Sequence, residues 1–504
     1  MFRRTRRLAV LSALAATAIA LSACAGSPEP VKTSTGAPDP DATLTVGLVL
    51  EPSNLDIRHT SGAALEQVLI DNIYEGLVTR TQDNTIEPRL ASDYEISPDG
   101  LTYTFTLNEG VVFHDGSALT SADVVESYEQ VRTDETLQGF AEFAGVAEIT
   151  APDEASVVIT LTEPNQNFLF TLTGPAGLVF KAGDETDLQT AENGTGPFTL
   201  ENWTKGSTIT FARFADYWGE AAGVAEVVFE YIPDFTAGLN AALDGSLDVL
   251  TAVDPNLAPE LEASGEFLLT EGRTTDKATL AFNNAQAPLD DVRVREALRL
   301  AIDHDALIEA TGAGETLYGP IPELDPGHED LSDVAGYDPA RAKELLAEAG
   351  AEDLELTLTI PSFYGTTVPQ VLISDFAEVG VTLDVEPVEF ATWLEDVYTN
   401  KDFELSYVLH VEPRDFGNFA NPDYYFGYDN PEVQRLYAEA LTEIDEDASA
   451  ELLAEAARLV SEDHAVDWLY NGVTITALLP TVSGFPVDSI NSRIDLAGVT
   501  VAGE

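Results

Sequence analysis

The sequence predicts an α/β or α+β protein with more than one domain. Stretches with two-residue apolar periodicity, typical of strands, alternate along the chain with stretches of helical periodicity. The chain has 504 residues, 44% of them apolar, which is sufficient for about two or three domains, each with its own core. No short-period repeat is present, so a repeat architecture is not expected.

The folded part is expected to begin near Thr43. Strands are predicted wherever short apolar or alternating stretches occur, at Leu44–Leu50, Leu101–Leu107, Ser156–Leu161, Thr208–Phe214 and Leu354–Ile360. Three helices carry clear signals. The first is capped by Thr120 with Asp123 at its third position, the second spans residues 291–310, and the third runs from Asp338-Pro339 to Gly350.

The N-terminus predicts export and a lipid anchor. Four arginines precede the apolar stretch Leu8–Leu21, which is too short to span a bilayer and suits a secretory signal peptide over residues 1–23. The stretch ends in Leu-Ser-Ala-Cys, which resembles a bacterial lipobox, so Cys24 is expected to carry the lipid. The alternative is an ordinary signal peptide with an incidental cysteine. Residues 24–41 are rich in Pro, Ser, Thr and Gly and predict a flexible tether.

Charge and cysteine content exclude several classes of function. The chain has 88 acidic residues, 24 basic residues and a formal charge of −64, and such a surface repels nucleic acid. Cys24 is the only cysteine, so an internal disulfide, a thiolate nucleophile and a cysteine metal site are all excluded. The six histidines are scattered singly, and no metal site or cofactor is expected.

A surface-anchored hydrolase is the alternative from another functional class. The sequence has no G-x-S-x-G elbow, no H-E-x-x-H motif and no Gly-rich P-loop, which argues against an enzyme. A carboxylate pair stays open as a catalytic possibility, because 88 acids make chance pairs inevitable.

A series of motifs in a fixed order resembles one family. The chain is similar to the bacterial extracytoplasmic solute-binding proteins of family 5, the receptors of peptide- and nickel-type ABC importers. Most of these motif residues are expected to have structural roles. The resemblance is carried by Glu51–Asp56, Ile73–Val78, Pro88–Ala91, Ser97–Phe105, Val112–Gly116, Ala122–Val124, Gly194–Phe198, Tyr217-Trp218, Leu243–Val249, Phe282-Asn283, Asp291–Leu298, Ala301–Asp303, Tyr337–Pro339 and Lys343–Leu346.

The resemblance implies a bilobal, periplasmic-binding-protein-like α/β fold with a hinge. Lobe I would comprise residues 42–283 plus 472–504, with 86–189 as an extra subdomain, and lobe II residues 284–471. The lobes would close on a peptide-like solute, and the closed form would dock on an ABC permease and ATPase complex. The receptor would be a monomer on the outer face of the cytoplasmic membrane, held there only by its lipid.

The resemblance also points to a ligand-binding strand and loop in lobe II, Ser406–Phe419. Counting back from Asn418, Glu412 stands where peptide-binding members carry an aspartate for the amino group of the peptide. Asp415 is the alternative anchor, and a purely structural loop is the other possibility. Arg414 is expected to pair with one of these two acids or to hold a ligand carboxylate, and Asn418 is a further candidate contact.

The strand before that loop is expected to pair with an extended peptide through the backbone at Val408 and His410. The alternative role for His410 is that of a ligand for nickel or a metal complex. The resemblance also allows a receptor of the same fold whose cargo is a glycan, an opine or a nickel chelate.

Overall fold

The computed structural model describes residues 36–488 and 493–503. The predicted signal peptide, Cys24 and most of the predicted tether lie outside these residues. Within them, no helix is both long and apolar enough to cross a membrane.

The described residues form 18 strands and 12 α-helices. The strands are β1 Thr43–Leu48, β2 Val78–Arg80, β3 Ile86–Pro88, β4 Ala91–Ile96, β5 Thr102–Leu107, β6 Val146–Asp153, β7 Ser156–Leu161, β8 Phe198–Thr204, β9 Thr208–Arg213, β10 Glu226–Tyr231, β11 Val249–Leu250, β12 Leu268–Phe282, β13 Glu355–Pro361, β14 Thr382–Val388, β15 Leu405–His410, β16 Val466–Leu478, β17 Val482–Ser483 and β18 Thr500–Val501. The helices are α1 Ala63–Leu69, α2 Ser121–Thr133, α3 Phe168–Thr171, α4 Phe235–Leu243, α5 Ala258–Ser264, α6 Val292–Leu300, α7 His304–Thr311, α8 Pro339–Ala349, α9 Thr367–Glu378, α10 Phe390–Trp393, α11 Pro431–Thr442 and α12 Glu446–Glu462.

The fold is bilobal, and one ten-stranded sheet runs through both lobes in the order β14-β13-β15-β12-β16-β11-β1-β10-β9-β8. In the first lobe β1 is parallel to β10 and β11, and in the second lobe β13 is parallel to β14 and β15. The long antiparallel pair β12 and β16 lies between these two groups and belongs to both lobes. The predicted boundaries at 283/284 and 471/472 both fall on or beside this pair, and they stay predictions.

A separate four-stranded sheet, ordered β4-β5-β7-β6, forms the body of a subdomain. Helix α2 packs against it around a buried aromatic cluster that includes Phe105, Tyr128 and Phe143. The cap predicted for this helix is confirmed, because Thr120 and Asp123 form a reciprocal capping box.

The predicted strands are confirmed with end shifts of one or two residues, and helix α8 begins at Pro339 and stops at Gly350 as predicted. The single helix predicted over 291–310 is wrong. It is two helices, α6 and α7, because the Asp303 side chain accepts a hydrogen bond from the Ala306 amide and starts a new helix there.

Four of the motifs meet at one buried carboxylate, Glu75. It accepts hydrogen bonds from Arg89 Nε at 2.7 Å, Tyr217 Oη at 2.8 Å, Thr195 Oγ1 at 2.9 Å and Trp218 Nε1 at 3.1 Å. Burial raises the pKa of Glu75, and the Arg89 guanidinium opposes that shift. The structural role expected for these motifs is confirmed here.

The glycines of the Gly-Thr-Gly-Pro-Phe motif are required by close packing. A Cβ on Gly194 would lie 1.8 Å from the carbonyl oxygen of Ile73. The nearby His114 contacts the Glu192 carboxylate through Nδ1, and its Nε2 lies 3.0 Å from the Gly196 carbonyl. His114 is therefore a hydrogen-bonding residue of the fold, which is one of the structural roles expected for the motifs.

Candidate functional site

The carboxyl ends of the parallel strands face each other from the two lobes. In the first lobe, Leu250 of β11 pairs with Ala477, which in turn pairs with Leu269 of β12. In the second lobe, His410 at the end of β15 pairs with Lys277 of β12. Both sets of strands therefore point at the stretch 270–276 of β12. Ligands of open α/β sheets bind beyond the carboxyl ends of the strands, so this junction is the candidate site.

The pair β12 and β16 is irregular at that junction. Its register shifts between Arg273 and Lys277, which places extra residues on β12. The Asn471 amide satisfies the freed backbone, because its Nδ2 donates to the carbonyls of Thr274 and Asp276, both at 3.1 Å. Because the family resemblance implies a hinge between the lobes, we name this bulged stretch of β12 the pivot.

Lys277 is almost fully buried and fastens the predicted ligand loop to the pivot. Its Nζ lies 3.2 Å from Asp415 Oδ1 and donates to the carbonyls of Thr275 at 2.9 Å and Glu412 at 3.1 Å. Burial acts to raise the pKa of Asp415, but Lys277 and His410 outweigh it and hold that pKa below its usual range. Asp415 therefore already has a cationic partner.

Two acids at the junction have no such partner. The Glu412 side chain is exposed, and its carboxylate makes no hydrogen bond or ion pair with the residues that the structure describes. The same holds for the half-buried carboxylate of Asp276 on β12. Burial raises the pKa of Asp276 to about 6. The nearby Lys277 ammonium opposes this shift, and the Glu412 charge adds to it.

Arg414 reaches across to the subdomain. Its guanidinium carbon lies 4.3 Å from the ring centroid of Phe170, and Nη1 lies 3.3 Å from Asn167 Oδ1. It forms no ion pair with Glu412 or Asp415, which was one expectation for it. Its backbone amide donates to Asp325 Oδ2 at 2.7 Å, and both residues line a cavity of about 470 Å³ between the subdomain and the second lobe.

The other predicted ligand-binding residues are buried or half-buried. Val408 is buried, and its backbone pairs with Thr279 of β12. His410 is also buried, with Nε2 3.0 Å from Tyr425 Oη and Nδ1 3.6 Å from Asp415 Oδ2, so both ring nitrogens face protein groups. Asn418 is half-buried at the end of a short 3-10 turn.

The residues that sequence reasoning missed are Asp276 and Lys277. Their signal was an acid followed by a base directly before the mostly apolar end of a long strand, Leu268–Phe282. A charge pair in such a position indicates a break in the sheet or a functional group.

Comparison with known proteins places the chain among extracytoplasmic binding proteins. The family described as bacterial extracellular solute-binding proteins, family 5 middle, matches residues 85–436. Heme-binding protein A of Haemophilus influenzae is 28% identical over 97% of this chain and 98% of its own length. The dipeptide-binding protein of Escherichia coli is 29% identical over 67% of this chain and 69% of its own.

A solved structure gives the same fold. The ABC transporter substrate-binding protein CtaP of Listeria monocytogenes superposes with a TM-score of 0.83 at 21% identity, over 92% of this chain and all of the other. At this identity, the likeness concerns the fold alone.

The buried pair at the pivot leads to the first prediction. Replacing Lys277 by Met leaves Asp415 buried without its cation, and we expect a loss of about 3–5 kcal/mol in the free energy of unfolding. Urea denaturation followed by circular dichroism measures it. The exposed Lys343→Met is the matched control, and the double variant Lys277→Met/Asp415→Asn should recover part of the loss. A single variant no less stable than Lys343→Met would contradict the role given to Lys277.

Proposed function

We propose a function from the premise that this chain belongs to the family 5 bacterial extracellular solute-binding proteins. The protein is a lipid-anchored receptor of an ABC importer. It captures a peptide-like solute between its lobes and delivers it to a membrane permease with its ATPase. It acts as a monomer on the outer face of the cytoplasmic membrane, attached through Cys24, and it does not convert its cargo.

One observation supports a peptide-like cargo. In the part of the chain that the structure describes, the carboxylates of Glu412 and Asp276 form no ion pair at the junction of the lobes, while the neighbouring Asp415 is paired with Lys277. A carboxylate enclosed when the lobes close is stabilised by an ammonium group that comes with the ligand. The free amino group of a peptide has that chemistry, and Glu412 is the side chain exposed to receive it.

The strand next to this loop supports an extended ligand. β13 pairs with Leu405 and Ser406 of β15, and among residues 36–488 and 493–503 no other strand covers that edge of β15 from Tyr407 onward. The Leu409 amide donates to Tyr364 Oη at 3.1 Å, which is a side-chain partner that a bound peptide backbone can displace. Backbone pairing near Val408 and His410 stays a prediction.

The receptor function is tested by identifying and following the ligand. Native mass spectrometry of the purified protein should find a bound amine-bearing peptide. Adding that peptide at a hundred times its Kd should stabilise the fold by about 2.7 kcal/mol. The peptide recovered after incubation should have an unchanged mass. A hydrolysed product would instead establish the surface hydrolase.

The amine anchor is tested at Glu412. We expect Glu412→Ala to weaken binding of a free-amine peptide by about 2–5 kcal/mol, because the ammonium then has no adjacent carboxylate. Calorimetry with the free and the N-acetylated peptide measures the effect. Glu352→Gln, an exposed acid in the loop before β13, is the control. Equal loss for both peptides would contradict amine recognition by Glu412.

Asp276 leads to a prediction about pH. Its raised pKa means that it is protonated below about pH 6 and charged above it. A cationic ligand favours the charged form, so affinity for a free-amine peptide should rise as the pH rises through about 6. Titrations between pH 5 and 8 should show this rise in the wild type and a flatter profile in Asp276→Asn. Glu412, Lys277, Tyr364 and Tyr470 interact with this carboxyl and are unchanged in that variant. Identical profiles would remove Asp276 from the site.

A further inference from the structure

Two exposed aromatic rings stand at the carboxyl ends of the second-lobe strands. Phe363 follows β13 and is 64% exposed, and Phe390 follows β14 and is 46% exposed. Their ring centroids are 5.8 Å apart with the ring planes at 65°. Since Pro361 at the end of β13 pairs with Val388 at the end of β14, the two rings extend one edge of the sheet. They form a surface that we name the aromatic ledge.

Neighbouring aromatic rings pack against Phe363 and Phe390 and hold them in place. Phe390 stacks on the buried Trp393, with centroids 5.8 Å apart and planes within 4°. Trp393 Nε1 donates to Ser406 Oγ of β15 at 2.9 Å. Phe363 lies 4.7 Å from the Tyr364 ring, which lies 5.2 Å from the Tyr407 ring. Rings supported in this way bind a ligand with little loss of side-chain entropy.

The ledge is continuous with the proposed amine site. Tyr364, the ring beside Phe363, accepts from the Leu409 amide, three residues before Glu412. Asp276 acts on Tyr364 electrostatically, and its charge contributes to the raised pKa of that tyrosine. The loop of Glu412 and the ledge therefore lie along the same edge of the second lobe. A ligand whose ammonium binds at Glu412 and Asp276 can also contact the ledge.

The strands of the first lobe also end in exposed apolar groups. Leu50 follows β1 and Phe235 follows β10, at the carboxyl ends of the first-lobe strands, and both are about half exposed. Sites for small ligands are lined mainly by apolar side chains, so the strand ends of both lobes can contribute to an apolar site.

We propose that Phe363 and Phe390 form a specificity subsite that takes a bulky apolar or aromatic side chain of a peptide whose amino group lies at Glu412 and Asp276. This inference rests on the proposed function, because it assigns the cargo class of the same cleft. Cargo peptides are then selected for a free amine and a large hydrophobic residue, whereas small polar side chains gain nothing from the ledge.

The experiment uses a complex peptide pool as the probe. The full protein is incubated with a peptic digest of casein, separated from unbound peptide by size exclusion, and the bound peptides are identified by mass spectrometry. We expect the bound set to be enriched in Phe, Tyr, Trp and Leu relative to the digest. Phe363→Ala/Phe390→Ala should lose that enrichment. The affinity of an enriched peptide, remade synthetically, should fall about tenfold for each ring removed.

The control is Phe140→Ala, which removes an exposed phenylalanine from the subdomain, away from the carboxyl ends of the strands. It should keep the wild-type enrichment, and matching melting temperatures confirm that all variants are folded. Bound peptides without apolar enrichment, or enrichment that survives in the double variant, would overturn the ledge and leave the peptide receptor standing. No bound peptide at all would overturn the proposed function and the ledge together.

Discussion

Two strands, β12 and β16, are the element on which the arrangement of the molecule depends. Both belong to the central sheet of each lobe, and their irregular stretch near Asp276 lies where the two groups of parallel strands meet. The same stretch receives the carboxyl ends of the parallel strands from both sides. The pivot and the candidate site are therefore one place, so closure of the proposed hinge would bring both lobes onto a ligand bound there.

The distribution of the few basic residues explains the chemistry of that place. Several of them are buried against acids or carbonyls of the fold. Arg89 is bonded to Glu75, Lys277 to Asp415, and the fully buried Arg299 to Asp467 at 3.2 Å. With 24 bases against 88 acids, most acids have no basic partner. Two of these unpaired acids, Glu412 and Asp276, lie at the junction of the lobes. If the lobes close on a ligand as proposed, the loss of water there favours an incoming cation.

The sequence allowed the fold to be predicted more fully than the site. Periodicity and caps located the strands and helix α8, because those signals are local. The break at Asp303 was missed since the apolar stripe continues through it, although an aspartate before a helical stretch is a capping signal. The bilobal fold came from the family resemblance, which short-range patterns cannot supply.

The site required contacts between distant residues. Glu412 was predicted from its place in the loop, and the structure leaves its carboxylate open at the junction. Asp415 was the second candidate by sequence, but Lys277, far away in the chain, pairs with it. Asp276 and the aromatic ledge were not predicted, because only the sheet order brings the middle of β12 to the carboxyl ends of β13, β14 and β15.

The buried Glu75 centre has a consequence for engineering. It joins the recognisable motifs of the first lobe in a location separate from the loops that end β13, β14 and β15. The framework of the first lobe is thus separate from the loops that the proposed cargo would contact. The positions to vary when retuning selectivity are therefore Phe363, Phe390 and Glu412, with Asp415 kept as the partner of Lys277. A fluorophore on each lobe would then report closure of the proposed hinge.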